Sequence, residues 1–194
     1  MNFIAIDTST NICSAALFNN SKLINVLEDV TFEHSKILPV FINELLKDSE
    51  PLDYIALSIG PGSFTGLKVG SSFAKGLAAA LKIPIIPINT FDGIKYTIQD
   101  SNTYYISIYS HRKYAFTCLY NNSSEKNTDF KCIEIDKLLD YKIYGYGFPD
   151  NLIIDYEEVK PNAKNIGLLS FEKFDTSKTY NIDDINPIYL MIEK

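Results

Sequence analysis

The chain has 194 residues, of which 46% are hydrophobic and 22% charged, a composition typical of a globular protein with a sizeable core. Its formal net charge of −6 and its single arginine, Arg112, argue against a protein that binds nucleic acid by itself, because phosphate binding needs an excess of basic side chains. Three cysteines without C-x-x-C spacing favour reduced thiols in a cytoplasmic protein, and we predict neither a signal peptide nor a membrane span.

The chain begins with three predicted antiparallel strands at residues 2–7, 12–18 and 23–30, which short turn signals separate. Asp7 ends the first strand and precedes the hydroxyl side chains of Thr8 and Ser9. A carboxylate at such a position either orients a metal-bound water near a nucleotide phosphate or only accepts N–H bonds from the turn. Both interpretations stay open on these residues alone.

The first predicted helix spans His34–Lys47 and has an apolar face on which His34 lies. A metal ligand at this position would need companions, but His111 is the only other histidine in the sequence. We therefore predict a hydrogen-bonded histidine at the helix start and no metal site.

The central stretch combines a strand at 53–59, the loop Gly60–Ser63 and a helix over Phe64–Leu81. The loop suits either a phosphate cradle or a tight strand-to-helix turn, because it has neither a Walker lysine nor G-x-G-x-x-G spacing. The helix carries a bulky stripe and an adjoining small strip, which together cover roughly 200° of its circumference. The stripe contains Val69, Phe73, Leu77, Ala80 and Leu81, and the small strip contains Gly66, Gly70, Ala74 and Ala78. Such a helix needs both a sheet and a second helix, which either this chain or a partner supplies.

Residues 83–89 predict a strand near a sheet edge, and residues 90–99 predict a short helix. The sequence that follows repeats the pattern of the N-terminal hairpin. Residues 2–20 align without gaps on residues 104–122, which predicts two related lobes at 1–100 and 101–194. The second lobe has Tyr109 where the first has Asp7, and this loss of an acidic group points away from catalysis. Its other predicted features are a turn at Gly145-Tyr146-Gly147 and a helix around Ala163–Phe174.

Four sequence segments together resemble the TsaB (YeaZ) family. They are Ile6–Thr10, His34–Pro39, the stretch from Gly60 to Leu77, and Asn186–Leu190. The resemblance implies an α/β protein with mixed sheets and an actin-like (ASKHA) fold of two RNase H-like lobes, the second of them abbreviated. Asp7, Thr8 and Ser9 would then be a vestigial phosphate loop, with no cofactor bound.

The same resemblance implies a non-catalytic scaffold for the formation of N6-threonylcarbamoyladenosine at position 37 of tRNA. The expected partners are the catalytic paralogue TsaD, the ATPase TsaE and, in isolation, a second copy of the chain. The chain departs from the family pattern at Tyr109–His111, where Asp-Ala-Arg is usual, near Tyr114, where a Glu is usual, and at Met191, where Arg is usual.

The alternative from another class is an ATP-dependent sugar-kinase-like enzyme or a metallo-glycoprotease. Kinases need two carboxylates in the cleft and the metal-dependent relatives need paired histidines, and neither set is found in the sequence. A free-standing tRNA-binding protein is disfavoured by the charge, so no sequence-specific tRNA contact is expected.

We expect the partner surface to lie on the two N-terminal helices, which would lie side by side and form a four-helix contact with a partner. The expected residues are His34, Ile37, Phe41, Leu45, Phe64, Gly66, Val69, Gly70, Phe73, Ala74 and Leu77. Helical periodicity alone leaves one alternative open, in which Gly66, Gly70 and Ala74 pack against the chain's own sheet.

Overall fold

Strands and helices follow one another in the order expected of a mixed α/β protein. The computed structural model describes residues 1–121, 128–138, 141–174 and 181–192. The strands are β1 (Phe3–Asp7), β2 (Ile12–Asn19), β3 (Lys22–Val30), β4 (Tyr54–Ser58), β5 (Ile85–Ile88), β6 (Tyr104–His111), β7 (Tyr114–Tyr120), β8 (Lys131–Glu134), β9 (Lys142–Tyr146) and β10 (Glu157–Glu158). The helices are α1 (His34–Leu46), α2 (Phe64–Leu81), α3 (Thr90–Lys95) and α4 (Ala163–Lys173), with 3-10 turns at Ile135–Lys137 and Ile182–Asp184.

The first sheet has the strand order β3-β2-β1-β4-β5. β1 pairs antiparallel with β2, and β2 with β3, whereas β4 and β5 run parallel to β1. The prediction of three N-terminal antiparallel strands is therefore confirmed. The short strand with Pro87 forms one edge of this sheet, as its prolines predicted.

Helices cover both faces of the first sheet. Alternate residues of β1 point to opposite faces, so that Ile4 packs toward α1 and α2 while Phe3 packs toward α4. On the α4 face, stacked rings join Phe18, Phe3 and Tyr54 to Phe174 at the end of α4, with centroids 4.4 to 4.7 Å apart. The stack fixes α4 on this face of the sheet.

The second sheet has the order β8-β7-β6-β9-β10, which repeats the order of the first strand for strand. This repetition confirms two RNase H-like lobes. The two hairpins pair in registers that differ by one residue. In the first hairpin Phe3 lies opposite Phe18, whereas the equivalent Tyr105 lies opposite Leu119 and not opposite Tyr120, the equivalent of Phe18. An irregularity between Tyr109 and His111 accompanies this difference.

One local prediction in the second sheet is wrong. Gly145-Tyr146-Gly147 was expected to form a turn, but Gly145 and Tyr146 belong to β9 and pair with β6. Gly147 does leave the strand, with φ of +82°. Gly145 is required in the strand because a Cβ there would crowd the Ser107 carbonyl and the Phe148 ring.

The chain divides into two compact units that differ in part from the lobes expected at 1–100 and 101–194. The first unit comprises residues 1–96 and 161–188, and the second comprises 97–160 and 189–194. Residues 161–188, assigned to the second lobe from the sequence, thus pack with the first unit, because α4 covers β1, β2 and β4. Within the described ranges, none of the helices is both long and apolar enough for a membrane span.

Candidate functional site

The β1–β2 turn holds the three residues predicted as a phosphate loop, and it is closed to solvent. Asp7, Thr8 and Ser9 are all buried. Asp7 Oδ1 accepts hydrogen bonds from the Ser9 amide at 2.9 Å and from Ser9 Oγ at 2.6 Å. Asp7 Oδ2 has no hydrogen-bond partner among the described residues, and burial raises the pKa of this carboxyl group. The carboxylate therefore supports the turn and has no exposed cradle around it.

The start of α2 closes this turn. The Ser63 amide donates to the Ser9 carbonyl at 2.6 Å, and Thr8 Oγ1 donates to the Gly66 carbonyl at 2.8 Å. Ser63 also caps α2, since its Oγ accepts a bond from the Gly66 amide at 3.3 Å. Of the two interpretations of the glycine-rich loop, the structure supports the tight strand-to-helix turn.

Three glycines allow α2 to approach the turn so closely. A Cβ at Gly62 would collide with the Ser9 carbonyl, one at Gly66 with the Thr8 carbonyl, and one at Gly70 with Thr8 Oγ1. No side chain larger than hydrogen fits at these positions without movement of the backbone or of Thr8.

The small strip of α2 consequently faces the interior of its own unit. Gly66, Gly70 and Ala74 are buried, and Ala74 and Ala78 belong to the core beneath the helix. The expectation that this strip faces a partner is corrected by this placement. The helical period fixes which residues share a face, but the collision that only glycine avoids decides which face turns inward.

His34 is also an interior residue. Its Nε2 lies 2.9 Å from the Thr10 carbonyl, which confirms the predicted hydrogen-bonded histidine at the start of α1. Burial lowers the pKa of His34, and Nδ1 has no partner within the described ranges. Leu45 is likewise buried, so neither residue belongs to an exposed surface. No three His, Cys, Asp or Glu side chains of the described residues cluster as a metal site.

The remaining predicted residues lie on α1 and α2, two helices that contact each other as expected. Ile37, Phe41, Val69, Phe73 and Leu77 are half-buried, and we call the area that they outline the α1–α2 surface. Of these five, all but Val69 also pack against the core beneath the helices. Val40 on α1 is 62% exposed, and Gly76 on α2 is also exposed. Phe64 is 61% exposed but lies about 180° around α2 from Phe73, outside this surface.

Val40 and Gly76 were not singled out from the sequence. The signal was their helical spacing, since Val40 follows Ile37 by three residues and Gly76 follows Val69 by seven. A Cβ at Gly76 would meet no atom within 4 Å, so this position leaves room for a neighbouring molecule.

The second unit contains a cavity of about 1080 Å³ that includes none of the predicted site residues. Its lining is mostly apolar, with five charged side chains, Lys113, Asp136, Lys142, Asp155 and Glu157, among it.

Comparison with protein families identifies residues 27–182 as a match to the model described as TsaD: tRNA N6-adenosine threonylcarbamoyltransferase. Among curated proteins, the chain is 38% identical over 93 residues to the tRNA threonylcarbamoyladenosine biosynthesis protein TsaB of Haemophilus influenzae. It is 34% identical over 94 residues to the protein of the same name from Escherichia coli. These alignments cover 46% of this chain in each case, but only 39% and 41% of the two relatives.

Among solved structures, YeaZ from Pseudomonas aeruginosa superimposes with a TM-score of 0.77 over 97% of this chain and 99% of that chain. The two sequences are 20% identical, so this similarity establishes the fold.

Proposed function

Because the chain belongs to the TsaD family and, within it, to the TsaB (YeaZ) proteins, we propose that it is a non-catalytic scaffold in the threonylcarbamoyladenosine modification of tRNA. In this role it binds and activates a TsaD-like catalytic subunit, and a TsaE-like ATPase joins the complex. The observation that carries the proposal is the α1–α2 surface, an apolar area on two adjacent helices of the first unit.

The α1–α2 surface suits a helical partner. Ile37, Val40 and Phe41 form one apolar stripe of α1, and Val69, Phe73 and Gly76 form another on α2. Helices that present such stripes pack against the helices of a partner through ridges and grooves, and a glycine in the stripe permits close approach. A contiguous apolar area of this kind is typical of protein interfaces.

The partner we propose is a TsaD-like paralogue. Since the TsaD model matches residues 27–182, the two proteins share the fold that presents α1 and α2. Two related folds can join their equivalent helices about an approximate two-fold axis, which gives a four-helix contact. A second copy of this chain would use the same area twice, so the homodimer and the heterodimer exclude each other.

The closed β1–β2 turn supports the non-catalytic part of the proposal. A nucleotide phosphate needs open backbone amides near an acidic group, whereas here α2 packs on Thr8 and Ser9 and buries Asp7. Isothermal calorimetry with ATP and Mg²⁺ tests this point, and we expect no saturable heat. A tight single site that Asp7→Ala abolishes would instead favour the kinase-like alternative.

The partner surface is tested by a matched pair of substitutions at Gly76. Gly76→Arg adds a long side chain at an exposed position where a Cβ would meet nothing beyond its own helix within 4 Å, so the protein should stay folded by circular dichroism. Association with TsaD, measured by calorimetry or sedimentation, should weaken by more than tenfold because the helices cannot approach. Gly76→Ala serves as the control and should bind nearly as the wild type does. Unchanged TsaD binding by a folded Gly76→Arg protein would contradict this surface.

The biological role is tested in cells. Depletion of the chain should remove threonylcarbamoyladenosine from bulk tRNA, as measured by mass spectrometry of the nucleosides. Expression of the wild type should restore it, and expression of Gly76→Arg should not. Normal modification in depleted cells would refute the proposed function whatever the chain binds.

A further inference from the structure

The β6–β7 hairpin ends in three consecutive exposed basic residues, His111, Arg112 and Lys113. Arg112 is the only arginine of the sequence, and no other lysine or arginine has a basic residue beside it. The tip lies in a chain with a net charge of −6, and two carboxylates, Glu134 and Asp136, act on its Lys113.

The tip is a tight turn that its neighbours hold in place. His111 pairs with Tyr114 across the turn, and Arg112 has φ of +54°. The Tyr109 hydroxyl donates to the Arg112 carbonyl at 3.2 Å, and the Lys113 carbonyl accepts a bond from the Ile135 amide at 2.8 Å. The basic side chains thus project from a backbone that is fixed on both sides of the turn.

The charges of the tip differ in their availability. Lys113 Nζ lies 2.9 Å from Glu134, which raises the pKa of this lysine and occupies its charge. Arg112 forms no ion pair with any residue of the described ranges. The imidazole of His111 lies beside the Tyr114 ring, with centroids 5.6 Å apart. Arg112 is thus the cation that is free to bind an external anion.

We propose that this tip, through Arg112, binds the phosphate backbone of RNA. A guanidinium matches phosphate with two parallel hydrogen bonds. The inference rests on the proposed function, which places the chain in a complex that acts on tRNA. Because the chain as a whole is acidic, the tip supplies one contact in addition to the binding provided by the catalytic partner.

The contact is tested by the salt dependence of RNA binding. The probe is fluorescein-labelled bulk tRNA, and its anisotropy is followed from 50 to 300 mM KCl with the full chain, alone and together with TsaD. Arg112→Asn removes the cation and keeps the turn, because asparagine tolerates positive φ better than most residues. The matched control is Lys164→Gln, which changes the net charge by the same amount at an exposed position in the first turn of α4.

We expect Arg112→Asn to weaken tRNA binding by about three- to tenfold and to reduce the slope of log K against log salt by about 0.7 to 1, whereas Lys164→Gln leaves both unchanged. Arg112→Lys should restore most of the slope, because it restores the charge. Equal slopes for Arg112→Asn and Lys164→Gln, or no binding of tRNA by the wild type in either setting, would overturn the proposal.

Two further outcomes are informative. If Arg112→Asn weakens the association with TsaD and leaves tRNA binding intact, the tip contacts an acidic protein surface and the RNA proposal is wrong. The two tests can be told apart. Normal threonylcarbamoyladenosine in depleted cells would refute the proposed function, whereas an unchanged slope of log K against log salt for the purified Arg112→Asn protein would refute this inference.

Discussion

The contact between α2 and the β1–β2 turn predicts a large loss of stability for Gly70→Ala. The added methyl group would collide with Thr8 Oγ1, which lies in a filled interior and donates to the Gly66 carbonyl at 2.8 Å. Either the helix moves away from the turn, or Thr8 rotates and its buried hydroxyl group loses its acceptor.

The magnitude follows from two contributions that destabilise the protein and one that stabilises it. Overpacking of a filled interior costs about 1–3 kcal/mol. A buried hydroxyl group without its hydrogen bond costs about 1–3 kcal/mol more. Alanine recovers about 1 kcal/mol through its higher helix propensity. The free energy of unfolding should therefore fall by about 1–5 kcal/mol.

Urea unfolding followed by circular dichroism measures this change, with Gly76→Ala as the matched control on the same helix. A Cβ at Gly76 meets no atom within 4 Å, so that substitution should raise the free energy of unfolding by about 0.5–1 kcal/mol. The same change from glycine to alanine should thus lower the free energy of unfolding at Gly70 and raise it at Gly76. A Gly70→Ala protein as stable as Gly76→Ala would show that the small strip does not pack on Thr8, and it would restore the interpretation in which the strip faces a partner.

Three further predictions concern ionisation and capping. Burial raises the pKa of Asp7 above its ordinary value of 3.8, so as the pH rises the unfolded chain loses this proton before the folded chain does. The wild type should therefore lose stability relative to Asp7→Asn as the pH rises above about 4. Urea unfolding of both proteins between pH 3 and 7 will measure this difference. Because burial lowers the pKa of His34 below 6.5, stability should fall as the pH drops through that value, and His34→Gln should reduce this slope; an unchanged slope would contradict it. Ser63→Ala should cost about 0.5–2 kcal/mol and Ser63→Gly less, as thermal unfolding will report.

The three N-terminal antiparallel strands were predictable because local signals determine them. Turn residues at Thr8–Asn11 and Asn19-Asn20 separate three apolar runs of strand length, and this spacing predicts an antiparallel meander. The repeat of this hairpin at residues 104–122 extended the prediction to the start of the second lobe. The one-residue difference in register was not predictable, because it arises at the irregularity beside Ser110, which no turn residue marks.

The inward orientation of the small strip on α2 was not predictable, for a different physical reason. Spacing assigned Gly66, Gly70 and Ala74 to one strip and Phe73 and Leu77 to another, and both strips are apolar enough to face either way. The choice depends on Thr8, which lies 62 residues from Gly70 along the chain and fills the space that only a glycine leaves free. Contacts between residues so far apart cannot be obtained from the period of one helix.

Under the proposed function, the two faces of α2 have different roles. Its inner face, with Gly66 and Gly70, packs on the β1–β2 turn, and the face that we propose for a partner carries Val69, Phe73 and Gly76. Because both faces belong to one helix, a substitution on the inner face should lower stability and, by displacing the helix, also weaken partner binding. A substitution on the outer face should weaken partner binding alone. Comparison of Gly70→Ala with Gly76→Arg in the same stability and binding assays tests this asymmetry, and equal losses of stability in both would contradict it.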